Sequence, residues 1–307
     1  MIQQHFEGAL GVDDFMNRVE MALYQEGFDS ENTLALVNLC RDEVCHKLAT
    51  KVHQVFGHSF TIHGLGGVLT CGVTGIKAGI SHAPTDANGK EKYVFFAFPH
   101  IAIDSEGNVG NINRPGRVGD SSACGALCAC LACFKSGDAS LLEPSTAGTH
   151  DVTDPELSIL KQRLVRTVKE EAVDPAKLDL VSITKLAERA QARDLKMLID
   201  AAVDTNIADY AIVTGVQIHN WMAYPADAGA PDLEYVYPSE ITVVSGGKSK
   251  TIKLGDVPSM TPRQVRVLAH SDSVGSSDPG SPLHNIDAGK RQRMVTNLIK
   301  TAFNNQS

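Results

Sequence analysis

The stretch from Ser121 to Phe134, SSACGALCACLACF, holds four of the chain's seven cysteines. Thiols at this density can bind a metal, exchange with disulfides, or pack a helix face as small apolar groups. Spacing separates these uses. The stretch reads as a helix capped by Ser121 or Ser122. At about 100° per residue from Cys124, Cys128 falls near ~40°, Cys133 near ~180° and Cys130 near ~240°. Thiols spread in this way do not converge on one ion. Cys130 and Cys133 form a C-x-x-C pair, but two turns into the helix, whereas the redox motif opens its helix. Cys128, Cys130 and Cys133 therefore read as structural. Cys124 differs. It lies in the first turn, where free N–H groups and the positive end of the helix dipole favour a thiolate, the form that zinc binds.

Two more residues of suitable chemistry sit at comparable junctions. Cys71 closes GGVLT and opens GVTG. His100 follows Pro99 within the apolar run FFAFPHIAI. The three lie 29 and 24 residues apart, each where a core element starts or stops, so they can meet at one edge of a sheet. Two thiolates, an imidazole and an open fourth position form a catalytic zinc pattern. A histidine in a buried strand equally suits a hydrogen-bonded core residue, and spacing alone leaves both readings open.

The elements that must position these residues follow from periodicity. GVDDFMNRVEMALYQEGF predicts a helix capped by Asp13 or Asp14. Leu34, Val37, Leu39, Val44, Leu48, Val52 and Val55 recur at helical spacing and predict a second helix over 30–56, with Cys40 and Cys45 as buried small hydrophobes. The stretch TIHGLGGVLTCGVTGIKAGISHAP has too many glycines for a plain helix or strand and reads as backbone running close to something. YVFFAFPHIAI predicts a strand buried on both faces. Helices follow near 155–171 and 182–203, then a buried strand at DYAIVTGVQIHNW and a hairpin at SGGKS. The Ser-, Asp-, Gly- and Pro-rich segment 271–289 reads as a loop, with a last helix near 290–303. Strands alternating with helices predict a layered α/β domain with a partly parallel sheet.

Composition bounds the function. Hydrophobic residues make up 43% and charged residues 21% of the 307, enough to bury a large core. The net charge of −8 comes without a basic stripe, which argues against a nucleic-acid partner. No apolar run reaches about 18 residues, so no membrane span is expected. An odd number of cysteines and no signal-peptide pattern point to free thiols in a reducing compartment.

The segments GLGGVLTCGVTG, GISHAP, YVFFAFPHIAID and RPGRVGDSSACGAL together resemble the limiting-CO2-inducible protein B family of algae and some microbes. That family includes proteins described as theta-class carbonic anhydrases. The resemblance implies one carbonic-anhydrase-like domain over 1–307, similar to the beta class: N-terminal helices at about 10–56, a zinc-binding α-β-α core with a central sheet at about 60–255, and a tail. It implies one Zn2+ per chain on Cys71, His100 and Cys124, a homodimer with a paralogous subunit as a further partner, and CO2 and bicarbonate as substrate and product. It implies the chloroplast stroma for an algal chain whose transit peptide has been removed, and the cytoplasm otherwise. Beta-class enzymes carry Asp and Arg two and four residues after the first Cys, but after Cys71 those positions are Val73 and Gly75. The nearest candidates for the pair are Asp104 with Arg117 or Arg114.

The chemistry so implied is reversible hydration of CO2 in an inorganic-carbon pathway, with Val68, Leu69, Phe95, Phe96 and Phe98 available as apolar walls. His63 and His82 read as locally hydrogen-bonded, and His219 carries no recognisable motif. Two other readings stay open: a silent carbonic-anhydrase-like subunit of a hetero-oligomer, and a thiol redox protein using Cys130 and Cys133.

Overall fold

The computed structural model describes residues 1–114, 116–119, 121–137, 151–221 and 233–258. The expected loop at 271–289 and helix at 290–303 lie outside them. The chain opens with α1 (Ile2–His5), β1 (Leu10–Gly11) and α2 (Val12–Gln25), which Gly11 precedes as N-cap instead of an aspartate. Then come β2 (Leu34–Asn38), α3 (His46–Phe56), β3 (Ser59–Thr61) and α4 (Gly72–Ile80). β4 (Glu91–Ala97), β5 (His100–Ala102), β6 (Asn111–Ile112), β7 (Ser121–Ser122) and α5 (Gly125–Lys135) form the middle. α6 (Pro155–Glu170), α7 (Leu180–Ala202), β8 (Ala208–Asn220), β9 (Leu233–Ser245) and β10 (Lys248–Ile252) complete it.

The main sheet runs β1-β9-β8-β4-β2-β3, with β10 beside β9 and β5 beside β8. β3, β2, β4 and β8 pair in parallel, and β9 turns the far edge antiparallel. The expected α/β class is therefore present, and the sheet, expected to be partly parallel, is largely so. Strand residues alternate between two cores. Ala35, Val37, Val94 and Phe96 pack with α2, α3, α5 and α6 on one face. Leu34, Leu36, Tyr93 and Phe95 pack with α4 and the end of α7 on the other. Strands covered on both faces read as continuous apolar runs.

Two elements differ from expectation. The region 30–56 is not one helix: its first apolar run is β2, buried at every position, and only the second is helical. A short, wholly buried strand has no period-2 signature, so the helical spacing of its leucines was coincidental. The glycine-rich stretch is half helix, because α4 needs small residues. A Cβ on Gly79 would come 2.7 Å from Leu36 Cδ2 and 2.9 Å from Phe60 Cδ1, so glycine lets the helix lie close on the sheet.

One carboxylate fastens the edge where β2 ends. Glu156, in the first turn of α6, accepts both Arg41 Nε at 2.8 Å and Arg41 Nη2 at 2.7 Å. It also accepts Leu65 N–H at 2.9 Å and the Thr70 hydroxyl at 3.1 Å. The Arg41 hydrogen bonds hold its carboxyl below the ordinary 4.5, against the opposing effect of burial. A carboxyl depressed in the fold stabilises above its unfolded pKa, and that stability is lost as pH falls through the folded value. Glu156→Gln should therefore cost about 1 to 2 kcal/mol at neutral pH. Urea unfolding of both proteins should show the gap closing below the ordinary carboxylate range. A gap that persists unchanged into strong acid would contradict this role.

Candidate metal centre

β2 and β4 run in parallel and end at the same edge of the sheet, the carboxyl edge where open α/β sheets place their ligands. The backbone leaves β2 through Leu39 and reaches Cys40, Arg41 and Asp42. β4 is interrupted at Phe98 and Pro99, and β5 resumes with His100. The register on β8 is kept across the break, with Ala97 opposite Thr214 and His100 opposite Gln217. Pro99 has no N–H for the ladder, and its carbonyl accepts Gln217 N–H at 3.0 Å. Cys124 is the N-cap residue of α5.

These three residues converge. One sulfur of Cys40, one ring nitrogen of His100 and the sulfur of Cys124 all lie within 4.8 Å of one another. All three residues are buried, at 3%, 0% and 1% exposure. The sulfurs are 3.9 Å apart, against about 3.8 Å for two sulfurs each about 2.3 Å from a tetrahedral zinc. His100 Nε2 is buried and has no hydrogen-bond partner. A buried nitrogen without a partner is costly unless something binds its lone pair. The donor set therefore fits a zinc ion on Cys40, His100 and Cys124.

The glycine loop explains how Cys40 is held. Gly66 N–H donates to Cys40 Sγ at 3.2 Å. Gly66 adopts φ of +63°, and a Cβ there would meet Leu160 Cδ2 at 2.7 Å. Asn38 Nδ2 donates to Gly67 O at 2.6 Å, and Gln191 Nε2 donates to Gly66 O at 2.9 Å. The expected close approach of this backbone is thus directed at the thiol.

The electrostatics suit cation binding. The Cys40 thiol is held down to about 4, by its hydrogen bond with Cys124 and, against burial, by His100. The same contact with Cys40, together with burial, pushes the Cys124 thiol up. Burial opposes a charge on His100, yet the Cys45 and Cys124 sulfurs raise its pKa well above the ordinary value.

Beside the thiols lies an Asp–Arg pair. Arg114 Nη2 donates to Asp42 Oδ2 at 2.8 Å and to Oδ1 at 3.1 Å, and Nη1 donates to Glu43 at 3.0 Å. Asp42 Oδ2 is 4.0 Å from His100 Nε2. Burial would raise the Asp42 pKa, but the nearby His100 charge, Glu43 and Arg114 hold it below its ordinary value.

Of the five residues singled out from sequence, the structure brings His100 and Cys124 together and places the other three elsewhere. Cys71 precedes α4 and packs against the opposite core, the one holding Leu36 and Phe95, so the sheet separates it from Cys124. Burial pushes its thiol up. Asp104 stabilises a turn: it accepts the backbone N–H groups of Glu106 and Asn108 and the Asn108 side-chain amide. Arg117 is exposed, and Arg114, the other arginine named with it, makes the pair. Val68, Phe96 and Phe98 lie in the core that holds Cys124, while Leu69 and Phe95 lie on the far face. His82 is exposed with its ring against Phe60, and His63 is half-buried. Cys130 is buried in α5, and burial pushes its thiol up to about 12, which does not suit a redox nucleophile. Cys40 and Asp42 were missed, although C-x-D is the spacing sought after Cys71.

A largely parallel sheet flanked by helices, with a Cys/His donor set at its carboxyl edge, is the architecture of a beta-type, carbonic-anhydrase-like protein. Residues 9–245 match the family described as limiting CO2-inducible proteins B/C, beta carbonic anhydrases, and the chain belongs to that family. It is 49% identical to the crystallised limiting CO2-inducible protein LCIB, over 82% of this chain and 96% of that one, with a TM-score of 0.69. It shares the fold of PtLCIB4, a homolog of LCIB, at 22% identity and a TM-score of 0.63, over 82% of this chain and 97% of that one. No curated protein matches the chain. No helix among the described residues is long and apolar enough to cross a membrane.

Metal analysis of purified variants tests the donor set. Cys40→Ser and Cys124→Ser should each lose most of the zinc, and Cys71→Ser should keep it. Zinc lost from Cys71→Ser and retained by Cys40→Ser would reverse the assignment.

Proposed function

We propose that this chain is a zinc carbonic anhydrase, catalysing reversible hydration of CO2 to bicarbonate as one carbonic-anhydrase-like domain. The observation that carries this reading is the convergence of Cys40, His100 and Cys124 beside the Asp42–Arg114 pair, in a chain of this family. Zinc, when bound, supplies Lewis acidity that brings the ionisation of water down from about 15.7 to about 7. The chain's own residues do the rest. Two thiolates neutralise the cation's charge, which keeps that ionisation at the upper end of the neutral range. Asp42 accepts the hydrogen bond of the attacking oxygen and so directs its lone pair. Arg114, pinned between Asp42 and Glu43, keeps Asp42 ionised and in place. CO2 carries no charge and only weak acceptors, so Val68, Phe96 and Phe98 suit it as walls. The family's name supports a place in inorganic-carbon acquisition.

A second reading is a carbonic-anhydrase-like subunit that is silent alone. The near-complete burial of all three donors favours it, because substrate must reach them. Stopped-flow CO2 hydration separates the two readings. The zinc-loaded wild type should hydrate CO2 faster as pH rises through about 7 to 8.5. Asp42→Asn keeps the shape and removes the charge, and should lower the rate at least about tenfold, or about 1.4 kcal/mol of barrier. Zinc binding without hydration at any pH would instead select the silent subunit. We further infer a homodimer, on family grounds. Light scattering at micromolar concentration should give twice the chain mass, and a monomer would refute it.

A further inference from the structure

His100 has a second nitrogen, and it is not free. His100 Nδ1 lies 2.9 Å from His219 Nε2. His219 Nδ1 lies 2.9 Å from each oxygen of Glu234. Trp221 Nε1–H donates to Glu234 Oε1 at 2.7 Å, and Gln217 Nε2 donates to Oε2 at 3.4 Å. The His100 and His219 side chains are 0% exposed and that of Glu234 is 1% exposed. Cys45 Sγ lies within 4.8 Å of a nitrogen on each ring. The sheet builds this chain of contacts. β5 and β8 place His100 opposite Gln217, two residues before His219 on the same face, and β9 sets Glu234 opposite His219.

The proton count has one solution that leaves a metal-binding nitrogen free. An ionised carboxylate only accepts, so His219 Nδ1 carries the proton facing Glu234. With His219 carrying that proton alone, its Nε2 accepts and His100 Nδ1 donates. That leaves a lone pair on His100 Nε2, the nitrogen without a hydrogen-bond partner. If His219 Nε2 carried a proton, His100 would accept at Nδ1, carry its own proton at Nε2 and offer the metal nothing.

We propose that His219 and Glu234 are positioning residues that hold His100 as its Nδ1–H tautomer, with Nε2 facing the Cys40 and Cys124 sulfurs, and so set the affinity of the site for zinc. This rests on the zinc reading above. Trp221 and Gln217 hold Glu234 in turn. Partners of this kind behind a ligating histidine are worth about 10- to 100-fold in metal affinity. A purely structural polar cluster would change stability and leave the zinc affinity of the folded protein unaltered.

The test is chelator competition for zinc on the full chain, comparing wild type with Glu234→Gln, with melting of each zinc-free protein as the check on folding. Glu234→Gln should bind zinc about tenfold or more weakly, with the zinc-free melting temperature close to wild type. A folded variant with wild-type affinity would overturn the relay alone. A wild type that binds no zinc would overturn both the relay and the zinc reading. Should the variant fail to fold, nitrogen NMR of 15N-histidine-labelled, zinc-loaded wild type decides the matter. Nδ1–H signals from both His100 and His219 support the proposal, and a proton on His219 Nε2 overturns it.

Discussion

The parallel pairing of β2 and β4 is the constraint on which the site depends. Parallel neighbours end at the same edge, so residues 60 positions apart in the chain, Cys40 and His100, arrive side by side. Phe98 N–H bonds to Asn38 O at 3.0 Å, and this is the last rung before both strands leave the ladder. Asn38 then turns its side chain to Gly67. The glycine loop, the β5 histidine and the N-terminus of α5 are all referred to this edge. A slip of one residue in the register of β2 would carry Cys40 to the opposite face of the sheet, where Cys71 lies.

Charge balance explains why so many ionisable groups gather at this edge of the sheet. An unpaired buried charge costs several kcal/mol even after relaxation. Here each charge has an assigned counterpart. Asp42 is matched by Arg114, and Glu156 by Arg41. The Cys40 sulfur is answered by Gly66 N–H. Glu234 is answered by N–H groups from His219 and Trp221. Pairing at this density leaves each group little freedom to change partner, which is preorganisation of a polar site.

Much of this was legible in the chain because the core strands are long or strongly patterned. The YVFFAFPHIAI run, the β8 strand, the SGGKS hairpin and the helices at α6 and α7 all stand near their expected positions. His100 and Cys124 were legible for a local reason: each sits where an apolar element begins. Cys40 was not, because the apolar runs flanking it, TLALVNLC and the HKLATKVHQVF helix, merge into one apparent helical period. Within that period a cysteine reads as filler. Asp104 looked suitable from its distance to His100 in sequence, but a carboxylate in DSEGN is occupied by its own turn. The length of a glycine-rich stretch reveals close approach and not its direction, so Cys71 within it read as the ligand, whereas the backbone of the loop approaches Cys40.

The arginine of the pair shows why local sequence cannot supply every part of such a site. Four residues after Cys40, where a beta-class pattern has Arg, the chain has Val44, 1% exposed within the core beside α3. A guanidinium there would have to be buried, with its five donors to satisfy. The cation therefore comes from a different segment, between β6 and β7, where Arg114 reaches Asp42 and Glu43 from a partly exposed position and also contacts Ser122 O at 3.4 Å. That contact joins the Asp–Arg pair to the strand that leads into Cys124. One side chain thus bridges the loop after β2 and the strand that leads into α5, so the charge that orients Asp42 also ties together the two segments that carry Cys40 and Cys124.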